Sequence, residues 1–187
     1  PGIVGAVDFI PAGAAVRSSA RVRWAAGAVA ATVLAADQVS KSLVLAARPA
    51  TAGAGWASVR LVRNTGASGG IASGYPVLVT LAALAITGVA AGLALRVRSR
   101  AAALCLAAVV GGAAGNLADR IFRAPGFGRG GVVDWIHFGA GGGSLDLADL
   151  AIQFGVLGAV IALVVCDRAA RARRAPGADQ APEGRLR

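Results

Sequence analysis

Asp134 and Asp149 are the two residues of this chain best suited to acid–base chemistry as a pair. Asp134 stands in Val132-Val133-Asp134-Trp135-Ile136, with apolar residues on both sides. Asp149 opens an uncharged run, 150–166, where a helix dipole favours a carboxylate in the first turn. A plain helix-terminal charge or cap would explain Asp149 alone; nothing as simple explains Asp134. Between them Gly139-Ala-Gly-Gly-Gly143 supplies a flexible hinge, suited to a lid over the pair or to a plain connector. Two carboxylates a few ångströms apart cannot both ionise comfortably, so they share a proton and titrate together. One can then act as base and the other as acid, activating water against an amide carbonyl.

Other polar residues sit at the same kind of boundary, where hydrophobic runs meet polar loops. Asp37 and Lys41, in Asp37-Gln-Val-Ser-Lys41, are spaced for an ion pair within one helix. Lys41 is the only lysine beside eighteen arginines, which hints at a site suited to a compact point charge. In Gly111-Gly-Ala-Ala-Gly-Asn-Leu-Ala-Asp-Arg120, the glycines at 111 and 115 permit close helix packing. Asn116, Asp119 and Arg120 fall on one helical face, and Asp119 is placed to neutralise Arg120. Asn116, one turn deeper, requires a hydrogen-bond partner. Asp146 lies one helical turn before Asp149. Asn64-Thr-Gly66 marks a turn after Trp56–Arg63, whose rough alternation suits a strand. Carboxylates at the edge of hydrocarbon are costly, which makes them functional-site candidates.

The elements that must position these groups are membrane helices. Of 187 residues, 56% are hydrophobic and only 15% charged, which excludes an ordinary soluble domain. Charge-free runs at 75–95 and 101–118 join 150–166 and the largely apolar 24–47. With the motif residues beside them, each approaches the roughly 20 residues that cross a bilayer. Four spans follow, at about 24–47, 75–95, 101–120 and 146–166. The expected fold is an all-α membrane protein with a small extracytoplasmic β-containing loop region. Residues 1–20 and 169–187, rich in Ala, Gly, Pro and Arg, are expected to be disordered tails flanking a four-helix domain over 21–168.

The net charge of +10 is distributed as membrane topology requires. Arginines 17, 21, 23, 96, 98, 100, 168, 171, 173, 174, 185 and 187 fall on one side, and 48, 60, 63, 120, 123 and 129 on the other. The richer side is expected to be cytoplasmic, with both termini there and the two longer loops outside. Basic segments beside spans favour anionic lipid, and nucleic-acid binding is not indicated. The first apolar run lacks a small-residue cleavage site and is expected to remain as an anchor. Cys105 and Cys166 form no framework or CxxC motif, and the lone His137 cannot build a histidine–cysteine metal site.

The blocks DQVSK, NTGAS, GGAAGNLADR, VVDW and LDLADLAI occur in that order across about residues 24–166. Together they resemble the lipoprotein signal peptidase family (signal peptidase II), bacterial intramembrane aspartic proteases. The resemblance implies catalytic roles for Asp134 and Asp149. It implies supporting or substrate-binding roles for Asp37, Lys41, Asn64, Gly66, Asn116, Asp119, Arg120 and Ala148, and places Asp146 at a supporting position. Two departures stand out. The family's last block reads Asn-x-Ala-Asp, whereas this chain has Asp146 in place of the asparagine. The NTGA block continues here with Ser68, Gly69 and Gly70 instead of Ala and Phe.

The expected function is therefore removal of signal peptides from diacylglyceryl-modified bacterial prolipoproteins, just before the lipidated cysteine. The partners are that substrate and membrane lipid; no cofactor or metal is required, and no oligomer is implied. The location is the bacterial cytoplasmic membrane, with the site at its outer face. A proton-coupled transporter is the second reading, since intramembrane acids also serve as relays. A scaffold whose polar residues only fix helix pairing is the third.

Overall fold

Four long helices carry most of the chain, in a computed structural model that describes residues 19–48, 56–139 and 142–174. They are α1 (Ala20–Ala47), α2 (Pro76–Arg96), α3 (Arg100–Phe122) and α4 (Leu147–Arg174). Each is long and apolar enough to cross a membrane. Large apolar residues point outward, including Leu78, Leu81, Leu84 and Ile86 of α2 and Phe154, Leu157 and Ile161 of α4. In water this exposure would be untenable; hydrocarbon is the solvent these faces fit.

Small residues make α3 the centre of the bundle. It packs against α1, α2 and α4, with Ala102, Ala103, Ala107, Gly111, Gly112 and Gly115 buried along it. A Cβ on Gly111 would meet the Ala30 carbonyl oxygen of α1 at 2.5 Å, and one on Gly112 the Ala148 oxygen of α4 at 2.5 Å. The glycine pattern is thus a packing device, and it sets how closely the helix of Asp149 approaches. Gly112→Ala is expected to cost about 1–3 kcal/mol through overpacking. Gly92→Ala, whose Cβ would meet nothing within 4 Å, should be neutral or mildly stabilising. Thermal unfolding in detergent distinguishes them, and equal melting temperatures for the two variants would refute the wedge.

A three-stranded antiparallel sheet, ordered β1-β2-β3, sits at one end of the bundle. Its strands are β1 (Ala57–Asn64), β2 (Val132–Phe138) and β3 (Ser144–Leu145). The region around Trp56–Arg63 forms the expected strand. Its partner is the VVDW segment, which lies between the third and fourth predicted spans. Val62 faces Asp134 and Asn64 faces Val132 across the ladder, with an irregularity between Val59 and Val62. Asn64 and Asp134 therefore share one face of the sheet as diagonal neighbours. The glycine stretch closes a hairpin, with the Phe138 amide donating to the Gly143 carbonyl at 3.2 Å; residues 140–141 lie outside the described residues.

Helix α4 continues to Arg174, into the stretch expected to be a disordered tail. Arginines near a helix C-terminus complement its dipole, and Arg171 pairs with Asp167 at 2.8 Å in i,i+4 spacing. Ala20 likewise belongs to α1, not to a tail, because Ser19 caps that helix by accepting from the Val22 amide. The rest of both predicted tails lies outside the described residues.

Candidate active site

Lys41 organises the polar end of the bundle. Its Nζ lies 2.8 Å from Asp37 Oδ2, 2.9 Å from Asp119 Oδ2 and 2.6 Å from Asp146 Oδ2, and donates to Asn116 Oδ1 at 3.0 Å. Lys41 and its three carboxylate partners are completely buried. Four oxygens around one nitrogen suit a compact ammonium and not a planar guanidinium, which accounts for the single lysine. Burying such charges is tolerable only where pairing and hydrogen bonding are near complete.

The same carboxylates hold the backbone on which Asp134 and Asp149 are mounted. Asp119 Oδ2 accepts from the Val133 amide at 3.1 Å, next to Asp134. Asp37 Oδ1 accepts from the Ala148 amide at 3.1 Å, next to Asp149. Asp146 Oδ1 caps α4 by accepting from the Asp149 amide at 2.8 Å. One ion cluster thus ties α1, α3, β2 and the start of α4 together just behind both acids.

Asp134 and Asp149 are brought together, and Asp146 stands beside them. Carboxylate oxygens of the three lie within 4.8 Å of one another. Such a trio can in principle share a cation, but Asp146 already directs its oxygens at Lys41 and the Asp149 amide. Asn116 links cluster to pair: it accepts from Lys41 and its Nδ2 donates to Asp149 Oδ1 at 3.1 Å. The partner that Asn116 required is thereby supplied. Burial pushes the Asp134 carboxyl up to about 7, and the charges of Asp146 and Asp149 add to it, while Asn64 and Lys41 pull it down. Burial also raises Asp146, to about 6, against the opposing pull of Lys41. Asp134 is 3% exposed, and its Oδ1 has no hydrogen-bond partner among the described residues.

A cavity of about 520 Å³ opens in front of the pair. Asn64, Asn116, Arg120, Asp134 and Asp149 supply its polar lining, and Phe138, Leu145 and Ile152 apolar wall. Arg120 Nη2 donates to the Gly66 carbonyl at 2.7 Å, while its Nε and Nη1 have no partner among the described residues. Gly66 must be glycine, because a Cβ there would lie 2.7 Å from the Gly70 carbonyl carbon. Asn64 closes the same turn, accepting from the Gly66 amide at 3.0 Å and donating to the Ala67 carbonyl at 3.2 Å. The divergent Ser68–Gly70 segment forms a short 3-10 turn, with Gly69 at the cavity rim.

One expected pairing is not formed. Asp119 does not bind Arg120; it pairs with Lys41 and with Arg123 Nε, at 2.5 Å. Consecutive residues on a helix point about 100° apart, whereas i and i+4 lie on one face. Arg123 and Gln38 are the site residues that sequence reasoning missed. Gln38 Nε2 donates to Asp37 Oδ2 at 3.1 Å, the Gly115 carbonyl at 3.1 Å and Asp119 Oδ1 at 3.2 Å. The i+4 spacing would have revealed Arg123; nothing local singles out Gln38.

Fold and site define the class: a multi-pass membrane protein with a carboxylate pair in a cavity at one end of a four-helix bundle. Residues 29–165 match the family described as signal peptidase (SPase) II. The chain is 40% identical over 164 residues to the lipoprotein signal peptidase of Mycolicibacterium smegmatis, covering 82% of this chain and 67% of that protein. It is 42% identical over 115 residues to that of Rhodococcus jostii, covering 59% and 58%. To that of Streptomyces coelicolor it is 42% identical over 103 residues, covering 54% and 48%. The chain spans about half the length of these last two relatives. Two solved structures of a bacterial membrane enzyme, determined by the in meso method at 2.3 and 1.9 Å, share the fold. Their TM-scores are 0.58 and 0.60 at 19% and 22% identity, covering 87% and 81% of this chain and 94% and 97% of theirs. The chain belongs to the signal peptidase II family.

Proposed function

We propose that the chain is an intramembrane aspartic endopeptidase that removes the signal peptide from diacylglyceryl-modified prolipoproteins, just before the lipidated cysteine. The observation that carries this reading is the meeting of Asp134 and Asp149, from a strand and a helix, in one cavity beside a bundle of spanning helices. Asp134 enters the reaction protonated and Asp149 as carboxylate. A water between them gives a proton to Asp149 as its oxygen attacks the scissile carbonyl. Asp134 protonates the carbonyl oxygen as the gem-diol forms. The gem-diol collapses as Asp149 passes its proton to the leaving amine and Asp134 recovers its own. Asn64 and Arg120 Nε and Nη1 hold substrate backbone, and the outward apolar faces leave the cavity within reach of a lipid-anchored chain. Both termini lie in the cytoplasm and the sheet and cavity at the outer face of the bacterial inner membrane, in keeping with the arginine asymmetry. The transporter reading lacks support: α1 to α4 are unbroken, and Asp37, Asp119, Asp134, Asp146 and Asp149 gather at one end.

The test is cleavage by the purified chain, in detergent or liposomes, of one prolipoprotein with and without its diacylglyceryl group. The lipidated form should be cut immediately before the modified cysteine and the unmodified form far more slowly. Because the mechanism needs the Asp134 proton, the rate should fall as pH rises through about 7. Equal cleavage of both substrates would overturn the substrate assignment; a rate that climbs through neutrality would overturn the mechanism.

A further inference from the structure

Asp146 belongs to both halves of the site. Its Oδ2 is 2.6 Å from Lys41 Nζ, inside the ion cluster, and its Oδ1 accepts the Asp149 amide at 2.8 Å. It also lies with Asp134 and Asp149 in the trio whose oxygens fall within 4.8 Å. An asparagine could cap α4 through the same oxygen. What the carboxylate adds is charge. The groups facing it are Lys41 and Asp37 from α1, Asp119 and Arg120 from α3, Asp134 from β2 and Asp149 from α4. One ammonium serves three carboxylates, and Arg123 offsets only Asp119. Arg120 also faces Asp134, Asp146 and Asp149 and offsets part of this charge, and the Asp146 carboxylate is the negative group that lies next to the reacting pair.

We infer that Asp146 is a positioning residue for the proton of that pair: clamped by Lys41 and the Asp149 amide, its fixed charge keeps one proton on Asp134 and Asp149 at neutral pH. This rests on the reading of Asp134 and Asp149 as catalytic. After burial, the charge of Asp146 is the largest influence raising Asp134, ahead of Asp149 itself. Burial pushes Asp134 to about 7 and Asp146 to about 6, and the Lys41 ammonium 2.6 Å from Asp146 favours its charged form. The uncovered Oδ1 of Asp134 completes the arrangement, since a buried carboxylate oxygen without a donor is better tolerated on a neutral acid.

The experiment is the pH–rate profile of prolipoprotein cleavage by the full chain, comparing wild type with Asp146→Asn. Removing a neighbouring negative charge makes the pair's proton easier to lose. The basic limb should therefore move down by about one pH unit, with roughly a tenfold drop in relative rate above it. Asp146→Ser, which also retains a capping oxygen, should move the limb the same way. A profile that is scaled down without moving, or that moves to higher pH, overturns the inference. Failure of both variants to fold also overturns it, because the carboxylate would then be required for the fold. Asp134→Asn separates the two levels. If it still cleaves, the reading of the pair fails; if it is inactive while the Asp146→Asn limb stays in place, only the inference fails.

Discussion

Asp134→Asn and Asp149→Asn are each expected to lower kcat/KM for prolipoprotein cleavage by about 10²–10⁴-fold, the usual contribution of a positioned acid or base. The two changes keep the shape of the side chains and remove the ability to exchange a proton with water. Asn at 149 can still accept from Asn116, whose Nδ2 lies 3.1 Å from Asp149 Oδ1. Asp134 crowds Asp146 and Asp149 and has no ion pair within 4.0 Å among the described residues, so neutralising it should leave the fold intact or more stable. Inactive protein that melts at or above the wild-type temperature is the expected signature. Near-normal cleavage by either variant would remove the acid pair from the mechanism. Inactivity accompanied by unfolding would instead mark the residue as structural.

Lys41→Met should have the largest effect on stability. Methionine fills similar space, but Asp37, Asp119 and Asp146 would then face one another with no ammonium among them. Removing one partner of a buried ion network costs about 3–5 kcal/mol, because the remaining charges are left uncompensated. Relief by protonation would weaken the carboxylate bonds to the Val133 and Ala148 amides. The backbone beside Asp134 and Asp149 would lose its anchors, so activity should fall with stability. Thermal unfolding and protease resistance in detergent measure the first, and the cleavage assay the second. A Lys41→Met protein with wild-type melting and turnover would show that the cluster does not hold the site.

The sequence alone made the four spans legible because hydrocarbon transfer is nearly additive over neighbouring residues. Apolar runs such as 75–95 announce themselves without knowledge of any partner. The β1 strand was legible from alternation, whereas β2 was not. Its four-residue motif is too short to show a period, and its partner lies far upstream, with Arg63 facing Val133. Arg123 was overlooked in favour of the adjacent Arg120, although helical geometry favours the i+4 neighbour. Gln38 acts through Gly115 and Asp119 of another helix, a relation that no local pattern carries.

By itself, then, the sequence determined a membrane bundle and a set of carboxylates too costly to be incidental. The tertiary structure alone decided how those carboxylates divide. Asp37, Asp119 and Asp146 reach Lys41, while Asp134 and Asp149 face a cavity that they line together with Asn64, Asn116 and Arg120. The reason is physical: a buried acid takes its character from the charges and donors a few ångströms away, and these come from α1, α3, β2 and α4, elements that only folding brings together.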